Sequence, residues 1–92
     1  MDAVKDAIRM FIIREHLKDE SPANLHDDTR LISNGLLDSL AVLGLVRFVE
    51  LNFGVELDVY ETSAERIDSI EDIARLVIHK QGTLTERATP VP

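Results

Sequence analysis

Apolar residues recur at every third or fourth position near the start of the chain, from residue 2 to about residue 18. This spacing puts them on one stripe of an α-helix and leaves charged residues on the other side. The pattern therefore predicts a first helix that packs its stripe against the rest of the domain. The stripe consists of Val4, Ala7, Ile8, Phe11 and Ile12, widened by Met10, Ile13 and Leu17.

A second helix is predicted from Ser39 to about Phe53. Its more apolar side is assigned to the core and contains Val42, Leu45, Val46, Val49 and Phe53. The opposite side contains Leu40, Gly44, Arg47 and Leu51. A helix that is apolar nearly all round is either buried or an interaction surface, and complete burial is difficult in a chain of 92 residues. We therefore expect this outer side to bind partner proteins.

The last helical pattern begins at Ser69, whose hydroxyl is suited to capping, with Asp72 three residues later as a variant of the capping box. Its core stripe consists of Ile70, Ile73, Ala74, Val77 and Ile78. The pattern weakens at residues 80–82, where this helix is expected to stop. Beyond it, two prolines and little periodicity predict a disordered tail over residues 82–92.

The connections complete the predicted architecture. A long loop over residues 22–37 is expected to be pinned by its own apolar side chains, and Asn34-Gly35 supplies a turn with positive φ. Its pins are Leu25, Leu31, Ile32, Leu36 and Leu37. Gly54 suits the position after the second helix, and a short third helix is expected over residues 61–66. The sequence thus predicts an all-α four-helix bundle, three main helices plus a short helix three, in a domain over residues 1–81.

Composition narrows the classes of function. The formal net charge of −7 argues against nucleic acid as a partner, because duplex binding needs a basic surface. The absence of cysteine excludes disulfides and thiolate metal sites. No apolar stretch is long enough for a signal peptide core or a membrane span, so we expect a cytoplasmic protein without a membrane partner.

The sequence shows no catalytic machinery of its own. Paired carboxylates, a Cys–His set and metal-ligand spacings are all missing, and His16, His26 and His79 are each expected to face solvent. We therefore expect neither an enzyme nor a metal site.

One serine stands out because of its position. Ser39 follows Asp38 at the start of the second helix, where a short hydroxyl side chain ordinarily caps unpaired backbone N–H groups. The flanking residues do not form the Gly-x-Ser-x-Gly turn of hydrolases, and no histidine is spaced to act as its base. Capping is therefore the ordinary interpretation of Ser39.

Three segments together resemble the acyl and peptidyl carrier-protein family. They are residues 31–40 with the triplet Asp-Ser-Leu at 38–40, residues 53–57 with the sequence Phe-Gly-Val-Glu-Leu, and residues 67–74 with a Ser-Ile-x-x-Ile helix start. The resemblance implies that Ser39 carries a covalent 4′-phosphopantetheine derived from coenzyme A and that Asp38 assists the modification. It also implies a monomer whose partners are a phosphopantetheinyl transferase, an acid-activating ligase or acyltransferase, and downstream synthase enzymes.

The outer side of the second helix departs from fatty-acid-type carriers, which have acidic residues there for binding basic partners. The matching positions here hold Ala41, Gly44 and Arg47, and Glu50 is the remaining acid. The sequence Gly-Leu-Leu-Asp-Ser-Leu is more similar to freestanding carriers of one activated acid, the D-alanyl carriers among them. An aminoacyl or acyl carrier of a polyketide- or nonribosomal-type specialised pathway is therefore expected. Two alternatives stay open: a fatty-acid-type carrier, and a cofactor-free helical module that binds a protein through the same side.

Overall fold

Three α-helices make up the regular structure of the chain. The computed structural model describes the backbone of residues 2–18, 21 and 24–88, and side chains as far as residue 82. Within these residues the helices are α1 (Asp2–His16), α2 (Ser39–Phe53) and α3 (Ile70–Ala88), and no strand is present. The all-α prediction is therefore confirmed.

The core lies where the three helices meet, since each helix contacts the other two. The phenyl rings of Phe11 and Phe48 stack with centroids 4.2 Å apart and join α1 to α2. The buried helical side chains are Ile8, Ile12, Ile13, Ala41, Leu45, Val49, Ile70, Ile73, Ala74 and Val77. Most of these positions were predicted, but Met10 and Ile78 were assigned to stripes and are 50% and 42% exposed.

Two glycines have the backbone conformation that their positions predicted. Gly54 follows α2 with φ 65°, and its N–H donates to the Glu50 carbonyl at 3.0 Å. Gly35 has φ 74° in the turn before α2. An L-residue with a side chain rarely adopts this left-handed conformation, so the end of α2 and the preceding turn both depend on glycine.

The ends of α1 and α3 differ from the prediction. α1 ends at His16, two residues early, where the Leu17 N–H donates to the carbonyls of Ile12 and Ile13 at 3.2 and 3.1 Å. α3 continues past Gly82 to Ala88, so the predicted stop at 80–82 was wrong. A glycine costs a helix only about 1 kcal/mol, and four of the six residues from 83 to 88 are good helix formers: Leu84, Glu86, Arg87 and Ala88. Residues 82–88 of the expected disordered tail are thus helical, and 89–92 lie outside the described residues.

Residues 58–67 form hydrogen-bonded turns, and the short helix predicted over 61–66 is not confirmed. Asp58 and Glu61 close the first turn reciprocally, because each backbone N–H donates to the other's carboxylate, at 3.0 and 2.9 Å. In the next turn the Ser63 backbone carbonyl accepts from the N–H groups of Arg66 and Ile67 at 3.0 and 3.1 Å. These bonds close separate turns and do not extend into a continuous helix over residues 61–66.

The described part of the connection between α1 and α2 is held by three of its predicted apolar anchors. Leu25, Leu31 and Leu37 are buried, whereas Leu36, also predicted as an anchor, is 39% exposed. In the same connection the Asp27 carboxylate pairs with Lys5 at 3.0 Å and also with Arg9. Among the described helices, none combines the length and apolar character that crossing a membrane requires.

Candidate functional site

Asp38, rather than Ser39, caps α2. Asp38 has an extended conformation (φ −84°, ψ −177°), and its carboxylate accepts a hydrogen bond from the Ala41 N–H at 2.8 Å. Its carbonyl accepts from the Val42 N–H at 2.9 Å and so begins the helical bonding. Asp38 therefore satisfies one of the four unpaired N–H groups at the start of the helix, that of Ala41, through its side chain.

Ser39 is the first helical residue and is exposed. Within the described part of the chain, its hydroxyl makes no hydrogen bond. The capping role that the sequence suggested for Ser39 is thus filled by its neighbour. What remains is an accessible hydroxyl on a rigid element, which is the geometry that an external enzyme needs in order to modify a serine.

Ser39 and Asp38 border an open groove of about 620 Å³. Its walls come from the loop before α2, from α2 itself and from the 58–67 turns. Besides Asp38 and Ser39, the residues that line it are Ile32, Leu37, Val42, Leu43, Val46, Thr62 and Ala64. The groove is therefore mostly apolar and begins at the serine.

A second depression, of about 370 Å³, shares Asp38 with the first. It also involves Leu36, Leu40 and Ala41, and His16 from the end of α1. Asp38 therefore borders both concave surfaces, whereas Ser39 borders only the first. The second one brings a residue of α1 close to the start of α2, which the sequence gave no means of predicting.

The four residues predicted to bind partners all lie on the solvent side of α2. Leu40 and Leu51 are 78% and 75% exposed, and Gly44 and Arg47 are exposed as well. A Cβ atom added to Gly44 would have no neighbour within 4 Å. Gly44 is thus not required for packing within the chain and leaves a shallow place on the outer side of the helix.

Leu43 belongs to the same surface and was missed by the sequence analysis. It is 66% exposed and lines the groove beside Ser39. The signal was available, because residues four apart on a helix share a face, so Leu43 follows Ser39 on its own side. By contrast, Thr62 and Ala64 reach the groove through tertiary packing, and no local pattern marks them.

Two other residues of α2, Ala41 and Glu50, were assigned from the sequence to the outer side of the helix, but neither is fully exposed. Ala41 is buried in the core. Glu50 is half-buried, and its carboxylate accepts from the Leu57 N–H at 3.0 Å. The outer side of α2 therefore presents leucines and one positive charge, and its single acid holds the segment that follows the helix.

The loop that leads to Asp38 is fastened to a buried carboxylate. Asp68 is 7% exposed and accepts hydrogen bonds from the Ile32 N–H at 2.7 Å, the Ser33 N–H at 2.9 Å and the Ser33 hydroxyl at 2.7 Å. Burial by itself raises the pKa of Asp68, but these hydrogen bonds and the nearby charge of Arg30 outweigh it, so the pKa lies below its ordinary value. Asp68 is therefore a charged acceptor that fixes the start of this loop.

No cluster of three or more His, Cys, Asp or Glu side chains in the described residues is arranged to hold a metal ion. Comparisons of the chain with protein-family models, curated proteins and solved structures found no match.

Proposed function

We propose that this protein is a carrier that holds an acyl or aminoacyl group as a thioester on 4′-phosphopantetheine attached to Ser39. The observation that carries the proposal is the unengaged, exposed hydroxyl of Ser39 at the first position of α2, made available because Asp38 caps the helix. The four-helix carrier architecture, the monomeric state and the cytoplasmic location expected from the sequence belong to the same proposal.

The surroundings of Ser39 fit the proposed group. A long flexible arm needs an exposed attachment atom and free space beside it, and the groove of about 620 Å³ begins at this residue. The attached group would supply a thiol at the end of that arm. The side chains of Ile32, Leu43 and Val46 offer an apolar wall along which an arm or its cargo can lie.

Attachment would require little of the chain itself. The Ser39 Oγ atom would form a bond to the phosphorus of coenzyme A's pyrophosphate that bears the pantetheine, and the bond from that phosphorus to the nucleotide would break. A separate transferase with its metal ion would take the hydroxyl proton and stabilise the leaving nucleotide. Asp38 beside Ser39 would assist that transferase, and the chain needs no base of its own.

A covalent link is also what the electrostatics favour. The positive end of a helix stabilises an exposed anion by about 0.3–1 kcal/mol. A carboxylate about 6 Å away in water would oppose it by about 0.7 kcal/mol, and the residue adjacent to Ser39 is the carboxylate Asp38. Non-covalent retention of a phosphate at this helix start would therefore be weak.

The outer side of α2 supports an aminoacyl or specialised acyl carrier over a fatty-acid type. Fatty-acid-type carriers use exposed acids there, whereas Glu50 turns its carboxylate to the Leu57 N–H and Arg47 is the exposed charge. In this proposal Leu40, Gly44, Arg47 and Leu51 meet the partner enzymes. Those enzymes are the transferase, an acid-activating ligase or acyltransferase, and downstream synthases.

A second candidate is a cofactor-free module that binds a protein through α2. It is favoured by three leucines on one helix, Leu40, Leu43 and Leu51, each at least 66% exposed. Exposed apolar residues in such a group commonly mark an interaction site. The two candidates differ in whether Ser39 is modified.

The deciding experiment is intact mass spectrometry after incubation with coenzyme A, magnesium and a promiscuous phosphopantetheinyl transferase. We expect a gain of one phosphopantetheine in the wild type and none in Ser39→Ala. The matched control is Ser63→Ala, since Ser63 is exposed and the change leaves Ser39 in place; this variant should still be modified. A folded wild-type chain that gains no mass would reject the carrier and leave the protein-binding module.

The cargo is tested on the modified chain. Transfer from aminoacyl adenylates, from short acyl-CoA donors and from long-chain acyl-CoA donors is compared by mass and thioester cleavage with hydroxylamine. We expect loading with an amino acid or a short specialised acid. Preferential loading with long unbranched acyl chains would instead indicate the fatty-acid type.

A further inference from the structure

The loop before α2 is closed by backbone hydrogen bonds at both of its ends. The Leu31 N–H donates to the Asp68 carbonyl at 2.7 Å, and the Leu37 N–H donates to the Leu31 carbonyl at 2.8 Å. Leu31 and Leu37 are both buried, and the Asp68 side chain binds Ile32 and Ser33 between them. The hydrogen bonds of Asp68 therefore fix the position of Leu37, and with it the position of Asp38.

The next two residues compete for one role. Asp and Ser are almost equally good helix N-caps, and Asp38 and Ser39 are adjacent. If α2 began one residue later, the Ser39 hydroxyl would accept from the Val42 N–H, which now donates to the Asp38 carbonyl at 2.9 Å. The serine hydroxyl would then be engaged in capping, and Asp38 would lie outside the helix.

Local preference alone does not choose between these two caps. The observed choice follows from the extended backbone of Asp38 (ψ −177°), which turns its carboxylate to the Ala41 N–H. That backbone is continuous with Leu37, whose place is fixed by the closed loop. A loose loop would allow the start of α2 to shift.

We propose that Asp68 is a positioning residue that selects Asp38 over Ser39 as the cap of α2 and thereby keeps the Ser39 hydroxyl available. The consequence for modification rests on the proposed carrier function, whereas the choice of cap does not. Asp68 acts through Ile32 and Ser33, since its described bonds end on this loop. It has no direct part in the chemistry.

The test uses two variants that weaken the anchor by different amounts. Asp68→Asn removes the charge and one acceptor but keeps the shape of the side chain. Ser33→Ala removes only the hydrogen bond from the Ser33 hydroxyl to Asp68. It tests the proposal alone if Asp68→Asn does not fold. The matched control is Asp27→Asn, because Asp27 is also a loop carboxylate with a lowered pKa, caused first by its hydrogen bond from Lys5, and it ties its loop to α1.

Two measurements are made at a temperature where all variants are folded. The ¹³C chemical shifts of residues 38 and 39 and the exchange rate of the Ala41 amide report which residue caps the helix. The kcat/KM of the transferase reaction reports access to the hydroxyl. Because Asp and Ser are almost equally good caps, loss of the anchor would leave the two states about equally populated, so kcat/KM should fall by about twofold in Asp68→Asn.

The expected result is a partial shift of the cap signature from residue 38 toward residue 39 in Asp68→Asn, a smaller shift in Ser33→Ala, and neither the shift nor the fall in kcat/KM in Asp27→Asn. Equal slowing in Asp68→Asn and Asp27→Asn would overturn the proposal, as would wild-type chemical shifts at residues 38 and 39 in both anchor variants. If the wild type itself accepts no phosphopantetheine, the carrier function fails, and the chemical shifts alone decide the role of Asp68.

Discussion

The carboxylate of Glu50 in α2 accepts a hydrogen bond from the Leu57 N–H at 3.0 Å. This bond joins the last turns of the helix to the segment that buries Val55 in the core. Hydrogen bonds to charged groups contribute about 1.5–3 kcal/mol when well protected, and Glu50 is half-buried. The acid of α2 thus has a structural role.

Glu50→Ala is therefore expected to lower the free energy of unfolding by about 1–2 kcal/mol. Urea denaturation followed by circular dichroism measures it. Glu56→Ala is the control, because Glu56 is exposed in the same segment and should change stability by less than about 0.5 kcal/mol. A Glu50→Ala chain as stable as the control would contradict the role given to this bond.

Arg47 is expected to act in partner binding and not in folding. Arg47→Glu should weaken binding to the cognate ligase by about threefold to tenfold at low salt, because an exposed charge on an interface mainly changes association. Stopped-flow association kinetics across a salt series measure the effect, which should shrink as salt rises. Arg75→Glu, an equal change of charge at an exposed position of α3, is the control. Loading kinetics of Arg47→Glu that equal the wild type at every salt concentration would exclude Arg47 from the interface.

Leu43 and Leu45 are two residues apart in α2 and should behave differently. Leu45 is 1% exposed, so Leu45→Ala should cost about 2–5 kcal/mol of stability. Leu43→Ala should cost less than about 1 kcal/mol, because most of this side chain is in solvent. Urea denaturation of the two variants measures both losses of stability. Similar losses in the two variants would mean that the buried side of α2 is assigned incorrectly.

Gly44 is expected to favour partner binding and to lower the stability of the free chain. A methyl group at this position meets no neighbour within 4 Å, so Gly44→Ala should stabilise the helix by about 0.5–1 kcal/mol. Gly44→Leu should also fold but should bind the partner more weakly, since it fills the shallow place on the outer side. Thermal unfolding and partner titration by calorimetry separate the two effects. Destabilisation by Gly44→Ala would show that the position is sterically restricted.

Asp68 should make the free energy of unfolding depend on pH. Its pKa in the folded chain lies below the ordinary value of 3.8, so the folded state binds fewer protons than the unfolded state. The stabilisation is therefore present at pH values above the ordinary pKa of 3.8 and is lost as the pH falls from there through the lower pKa of the folded chain. Urea midpoints measured over this range should fall less steeply for Asp68→Asn than for the wild type. Parallel profiles in the two chains would contradict the lowered pKa.

The local part of the fold could be predicted because helical periodicity is a property of neighbouring residues. The spacing of Ile8 and Ile12 in α1, and of Ile70, Ile73 and Val77 in α3, indicated the buried sides of those helices. α2 was harder, since it is apolar nearly all round. Its spacing fitted several faces, and Leu43 and Ala41 were misjudged or overlooked for this reason.

The candidate site could be predicted only in its position along the chain. Ser39 was identified as a residue at the start of α2, but the local preferences of Asp and Ser are too similar to say which of them caps the helix. The choice depends on bonds between residues more than thirty positions apart, from Asp68 to Ile32 and Ser33. Thr62 and Ala64 enter the groove in the same non-local way.

By itself, the sequence determined three helices, the bounds of α2, and the glycines at 35 and 54, because spacing and backbone preference act over a few residues. Only the tertiary structure decided that Asp38 caps α2, that the Ser39 hydroxyl stays unengaged and that Glu50 holds Leu57. The first two depend on where buried leucines and the Asp68 carboxylate bring distant backbone together, and the third depends on how the chain returns past the end of α2 to bury Val55. Burial and hydrogen bonding across the fold select among local alternatives of nearly equal free energy.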